Sequence, residues 1–212
     1  MSGNKGHIFF RGLLVLFGLA AVTGCFGRTG PSPAVERYAL RYEPPAATGN
    51  AAAGTIRVER FSAARPFGDV SVVFGTDAFR LDTYRNRRWA ASPADMMADL
   101  LIRDLRAAGC FSAVLPPQSL EEAGYSIEGR LEEFLESVEP GGRSARLSLT
   151  LTLVDLKERN PVQRVVMQKG YRFAKALEGE GTSALAGAMS RAAEAFSRQA
   201  VADICAAVPV RP

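Results

Sequence analysis

Leu147, Leu149, Leu151 and Leu153 alternate without a break with Ser148, Thr150 and Thr152. Successive side chains of a strand leave opposite faces, so this period of two demands a β-strand with one buried and one wet face. Tyr125, Ile127 and Leu131 alternate in the same way with Ser126, Glu128 and Arg130, and Val165, Met167, Tyr171 and Phe173 continue the pattern. Pro140-Gly141-Gly142 reads as a hairpin loop between the first two runs, and Asn160-Pro161 as a turn before the third. This half of the chain therefore predicts an antiparallel meander with one face on a core.

The remaining patterning adds shorter strands and two helices. Residues 37–42 and 55–60 alternate, and residues 70–74 and 78–84 read as further strands around Gly75-Thr76. Ser92-Pro93-Ala94-Asp95 predicts a helix start, with Ser92 as cap, Pro93 in the first turn and Asp95 closing a capping box. Met97, Leu100, Leu101, Leu105 and Ala108 follow at helical spacing, and Gly109 stops the helix. A second helix is expected to be capped by Thr182, with Leu185, Met189, Ala192, Phe196 and Ala200 on one stripe toward Ile204. The expected fold is α+β: a mostly antiparallel sheet with two helices packed on one face, in the order strands-helix-strands-helix. Residues 44–54, built from Pro, Ala, Gly and Asn, read as a loop, and the expected domain spans 36–207 with a tail over 208–212.

The first 24 residues follow different rules. Lys5, His7 and Arg11 make a basic start, and residues 13–22 are apolar. That run of about ten residues is half of the roughly 20 that a spanning helix needs. It reads as a secretory signal, with a short transmembrane anchor as the alternative. The run ends at Val22-Thr23-Gly24-Cys25, which resembles the bacterial lipobox. That resemblance implies acylation of Cys25, which becomes the new N-terminus and carries several chains. Each buried methylene contributes about 0.8 kcal/mol, so several chains anchor durably. Phe26 follows Cys25, and the usual sorting rule then implies the periplasmic face of the outer membrane. Residues 25–35 read as the lipidated cysteine and a flexible Gly/Pro tether.

Composition narrows the chemistry. Setting aside Lys5 and Arg11 leaves 24 of the 26 basic residues against 22 acidic ones, a net charge of +2. No basic run with interleaved aromatics occurs, so nucleic acid is not an expected partner. The one histidine is His7, in the leader. The mature chain thus lacks the commonest general base and zinc ligand, which excludes Ser-His-Asp and Cys-His arrangements and His-based metal sites. No cofactor is expected beyond the covalent lipid on Cys25. Glu178-Gly179-Glu180-Gly181 is an acidic turn rather than a phosphate cradle.

Three groups of residues invite a functional reading. Glu132, Glu133, Glu136 and Glu139 could hold a carboxylate pair for acid-base work. The blander reading is a solvated, edge-like strand end whose charges discourage pairing. Cys110 and Cys205 remain after lipidation, and in an oxidising compartment such a pair often bridges. If the two helices lie side by side the sulfurs could meet; the alternative is two buried thiols. Tyr84, Arg85, Arg87, Arg88 and Trp89 precede the capped helix and form a candidate partner-binding loop, being residue types that dominate interfaces. Trp89 alternatively packs inward as a core aromatic.

Several segments then fall into a familiar order. These are Tyr38-Ala39-Leu40, Ile56-Arg57-Val58, Trp89-Ala90-Ala91-Ser92-Pro93, Gly109-Cys110-Phe111, Gly129-Arg130-Leu131-Glu132-Glu133-Phe134, Val154-Asp155 and Ala188-Met189-Ser190-Arg191-Ala192. Together they resemble the ABC-type transport auxiliary lipoprotein family over residues 36–207. The resemblance implies no catalysis. It implies a periplasmic partner of a lipid-transport system, in which an inner-membrane ABC transporter works with a mammalian-cell-entry-type lipid-binding protein. The lipoprotein would form the outer-membrane end, and a homo-oligomer is compatible with it. Two rivals stand: a structural or assembly lipoprotein that assists secretion or outer-membrane biogenesis, and a periplasmic hydrolase.

Overall fold

The computed structural model describes residues 34–47, 54–77 and 79–208. The leader, Cys25, the tether over 26–33, Ala78 and most of the expected tail lie outside the described residues. Val35 opens a compact unit. Its elements are β1 (Glu36–Tyr38), β2 (Thr55–Val58), β3 (Ser62–Ala63), a 3-10 turn (Arg65–Phe67), β4 (Ser71–Gly75), β5 (Leu81–Trp89), α1 (Pro93–Ala108), β6 (Ala113–Leu115), β7 (Tyr125–Glu139), β8 (Gly142–Asp155), β9 (Val165–Ala176) and α2 (Gly181–Ala207).

Among the described residues nine strands form one sheet. The meander β7-β8-β9 is antiparallel, with Leu131 opposite Leu149 and Leu149 opposite Tyr171. The rest of the sheet is not. β2, β3 and β4 lie in succession along the other side of β7, all parallel to it. β1 runs parallel to β5, and β6 parallel to β2. The sheet is therefore mixed, which corrects the mostly antiparallel expectation. Period-two patterning is the same in both kinds of ladder. Direction is set by the connections: the chain reverses at the β4–β5 turn and again between β5 and β6 across α1, so β6 and β7 run the same way as β2–β4.

α1 starts as its sequence dictates. Ser92 Oγ accepts the Asp95 backbone N–H at 3.2 Å and donates to Asp95 Oδ2 at 2.6 Å. Gly109 closes the helix in the left-handed region at φ 72°, where a side chain would be strained. α2 departs from expectation. It begins at Gly181 with Glu180 at the cap and no side-chain cap bond, so Thr182 sits buried inside the first turn.

The leucines of β8 face the helices. Tyr171, opposite Leu149, meets Phe196 of α2 edge-on with ring centroids 5.4 Å apart. Most of the expected stripe on each helix is buried against this face: Met97, Leu101, Leu105 and Ala108 on α1, with Leu100 only half-buried, and Leu185, Met189, Ala192, Phe196, Ala200 and Ile204 on α2. Gly129 of β7 lies on the same side, opposite Leu151. A Cβ there would stand 2.5 Å from the Phe61 ring, so the missing side chain is what lets Phe61 fill the core.

One charged residue stands between the helices. Asp104 of α1 is fully buried, accepts from Tyr42 Oη at 2.6 Å and from Ser197 Oγ of α2, and pairs with Arg103 at 2.7 Å. The chain before β2 is thereby pinned to both helices. Burial first, and then the Asp104 carboxylate, push the Tyr42 phenol well above its ordinary range.

Candidate functional site

The segment expected as a partner-binding loop is a strand. Residues 84–89 end β5, parallel to β1 and antiparallel to β4. Trp89 is 1% exposed and meets Phe134 edge-on at 5.1 Å, so it is a core aromatic and leaves any docking surface. Tyr84 is half-buried and donates to Glu136 Oε2 at 2.9 Å. The Arg87 guanidinium lies 4.5 Å over the Tyr84 ring. Arg88 Nη1 donates to the carbonyls of Tyr84 and Arg87, both at 2.7 Å. Arg85 alone of the three arginines is exposed.

The acidic row is dispersed. β7 is a central strand flanked by β2, β3 and β4 on one side and β8 on the other, so the edge-like reading fails. Glu136 is fully buried, paired with Arg143 of β8 and bonded by Tyr84. The same bond to Glu136 holds the Arg143 guanidinium above its ordinary value, while burial and then Glu136 raise the Tyr84 phenol. Glu132 accepts from Ser148 Oγ at 3.0 Å and Thr150 Oγ1 at 2.7 Å. Glu133 pairs with Arg146 at 3.3 Å, and Glu139 accepts from Ser137 Oγ at 2.8 Å. A bulge between Leu131 and Glu133 shifts the register, so beyond it Phe134 and Glu136 take the core-facing side that Leu131 takes before it.

Cys110, just beyond α1, and Cys205, in the last turns of α2, are joined in the structure with Cα atoms 5.8 Å apart. The bond ties the ends of the two helices together and encloses no further chemistry. Among the described residues no group of three or more His, Cys, Asp or Glu could hold a metal ion. No described helix is long and apolar enough to cross a membrane.

The sheet face turned away from the helices carries two grooves that sequence reading missed. One, of about 630 Å³, is polar, with Glu59, Arg60, Arg130, Glu132, Thr152 and Gln168 among its walls. Its only signal in the sequence is the wet phase of the β8 alternation, Thr150 and Thr152, which by itself marks no more than a solvent-facing side. The second, of about 520 Å³, shares Glu132 but has an apolar floor of Phe67, Leu81 and Leu135. Its walls come from four strands and two turns, which no local pattern joins.

The model of the ABC-type transport auxiliary lipoprotein component matches residues 38–201. The chain belongs to that family. The match takes in every strand from the last residue of β1 through β9 and most of α2, so the auxiliary lipoprotein domain is the sheet-and-two-helix unit itself. Solved structures share the fold. A Xanthomonas campestris protein of family DUF330 is 20% identical at a TM-score of 0.70, over 81% of this chain and 96% of that one. A protein of uncharacterised function is 13% identical at 0.63, over 81% and 99%. A Chlamydia trachomatis protein is 10% identical at 0.50, over 74% and 99%. Comparison with curated protein sequences gives no match. As an auxiliary lipoprotein the chain is a membrane-associated envelope protein that works beside an ABC transporter.

Proposed function

We propose that this auxiliary lipoprotein is a non-enzymatic accessory of a lipid-transport system. The system pairs an inner-membrane ABC transporter with a mammalian-cell-entry-type lipid-binding protein. The chain would be held by lipid on Cys25 at the periplasmic face of the outer membrane. The observation that carries this reading is the family match over residues 38–201, coupled to a leader that ends in Val22-Thr23-Gly24-Cys25. The disposition of charge supports it. Asp104, Glu132, Glu136 and Asp203 are each taken up by internal hydrogen bonds or ion pairs that hold the fold. Arg85, exposed on β5 beside the Arg87–Tyr84 stack, is the group we assign to partner contact.

The test has two arms. Cys25→Ser should block acylation and remove the protein from outer-membrane fractions. Deletion of the gene should redistribute phospholipid between the membranes, and the tagged chain should retain the transporter's lipid-binding protein in a pull-down. Unchanged lipid distribution alongside disturbed assembly of another envelope protein would support the assembly reading instead.

A further inference from the structure

The turn between β4 and β5 presents Phe79, 99% exposed, and then Leu81, 48% exposed. Single exposed apolar residues are ordinary, but these two are not isolated. Gly75 pairs with Leu81 across the ladder, and a Cβ on it would meet Leu81 at 3.3 Å and Leu135 at 3.4 Å. The bare glycine lets Leu81 and Leu135 share one apolar seam, which continues into the groove floored by Phe67. The Phe79 N–H is bonded to Asp77 Oδ1 at 2.8 Å, so the backbone that presents the ring is held in a turn. Burying such a ring and its neighbour needs an apolar surface from outside the domain.

The register of β1 shows which end of the domain this is. β1 is parallel to β5, with Glu36 opposite Arg87 and Tyr38 opposite Trp89. The chain upstream of Glu36 therefore enters the sheet from the side on which β5 begins, at Leu81. The β7–β8 hairpin lies at the same end, since Gly75 pairs with Ser137. Val165 and the β8–β9 connection, with Val162 exposed, lie at the other. Ten peptide steps separate Cys25 from Val35, a reach of at most about 35 Å even fully extended.

From this juxtaposition we infer that the β4–β5 turn, through Phe79 and Leu81 with Arg80 beside them, is a second, non-covalent membrane contact that sets this end of the domain against the bilayer entered by the lipid on Cys25. The inference rests on the anchor reading of Cys25. The occupant is a lipid surface because the bilayer lies within tether reach on the side from which the chain arrives. Asp77 and Asp82 flank the turn but each accepts a backbone N–H, from Phe79 and Thr83. Attraction to lipid phosphates through Arg80 is thus opposed by two carboxylates, so the contact is mainly apolar and persists in high salt.

The test uses the full acylated mature chain in phosphatidylethanolamine–phosphatidylglycerol vesicles containing brominated phosphatidylcholine. Phe79→Trp places a reporter in the turn, and Val162→Trp places one at the opposite end of the sheet. The parent supplies the background from buried Trp89. Flotation reports the anchor separately from the turn. If the chain floats, the emission added by Phe79→Trp should be blue-shifted and quenched, in 1 M salt as well as at low salt, while that of Val162→Trp stays red and unquenched. A floating chain whose Phe79→Trp emission is unquenched, or quenched no more than that of Val162→Trp, overturns the turn as a membrane contact and leaves the anchor standing. A chain that does not float overturns the anchor and, with it, the contact.

Discussion

Gly129→Ala is a substitution whose sign depends on one neighbour. In a strand, alanine is ordinarily better than glycine by about 0.5–1 kcal/mol, because glycine loses more backbone freedom on folding. Here the added Cβ would lie 2.5–2.6 Å from three atoms of the Phe61 ring, about 1 Å inside the ordinary contact distance. Phe61, in the connection between β2 and β3, is itself buried and part of the hydrophobic core. Overpacking of such a core costs about 1–3 kcal/mol, so the clash outweighs the backbone gain and Gly129→Ala should destabilise. Phe61→Ala alone should cost about 3–5 kcal/mol through the cavity it leaves. In that background the same Gly129→Ala change should turn neutral or stabilising. The assay is a double-mutant cycle by urea denaturation with the disulfide intact. Additivity of the two changes within about 0.5 kcal/mol, or a Gly129→Ala single variant as stable as the parent, would refute the packing account.

Three further outcomes follow from the same structure. Replacing Cys110 and Cys205 by Ala opens a closure spanning 95 residues, which should cost about 4–5 kcal/mol of unfolding free energy; equal guanidinium midpoints for variant and oxidised parent would show that no bridge contributes. Trp89→Ala should cost about 3–5 kcal/mol, whereas Arg85→Ser should shift stability by no more than about 0.5 kcal/mol yet weaken retention of the transporter's lipid-binding protein; full retention would remove Arg85 from the interface. The Tyr42 phenol is raised above its usual 10.0 in the folded chain, by burial and then by Asp104, so folding favours its protonated form. That stabilisation is complete below pH 10 and is lost as the pH climbs above it; melting temperature should fall from about pH 10 upward, more steeply in the parent than in Tyr42→Phe, and identical slopes would show that Tyr42 is not responsible.

Local chemistry alone determined much of this protein. The alternation of Leu147 to Leu153 required a strand with one buried face, and β8 is that strand. Ser92, Pro93, Asp95 and Gly109 fixed both ends of α1, because capping is satisfied within a few residues of the helix end. The ordered segments from Tyr38 to Ala192 were sufficient to name the family. Strand direction was not legible, since a period of two is shared by parallel and antiparallel ladders and only the connections between strands choose between them. The roles of Trp89 and of the glutamates were not legible either. Whether an aromatic or a carboxylate is surface or core depends on what other strands bring to it: Phe134 for Trp89, Arg143 and Tyr84 for Glu136. The same holds for Gly129, which reads in sequence as a weak point in a strand and in three dimensions as the space that Phe61 occupies. Sequence fixes what a residue and its near neighbours can satisfy among themselves; distant partners such as Phe134 for Trp89 and Phe61 for Gly129 become neighbours only when the sheet closes, and their contacts decide the rest.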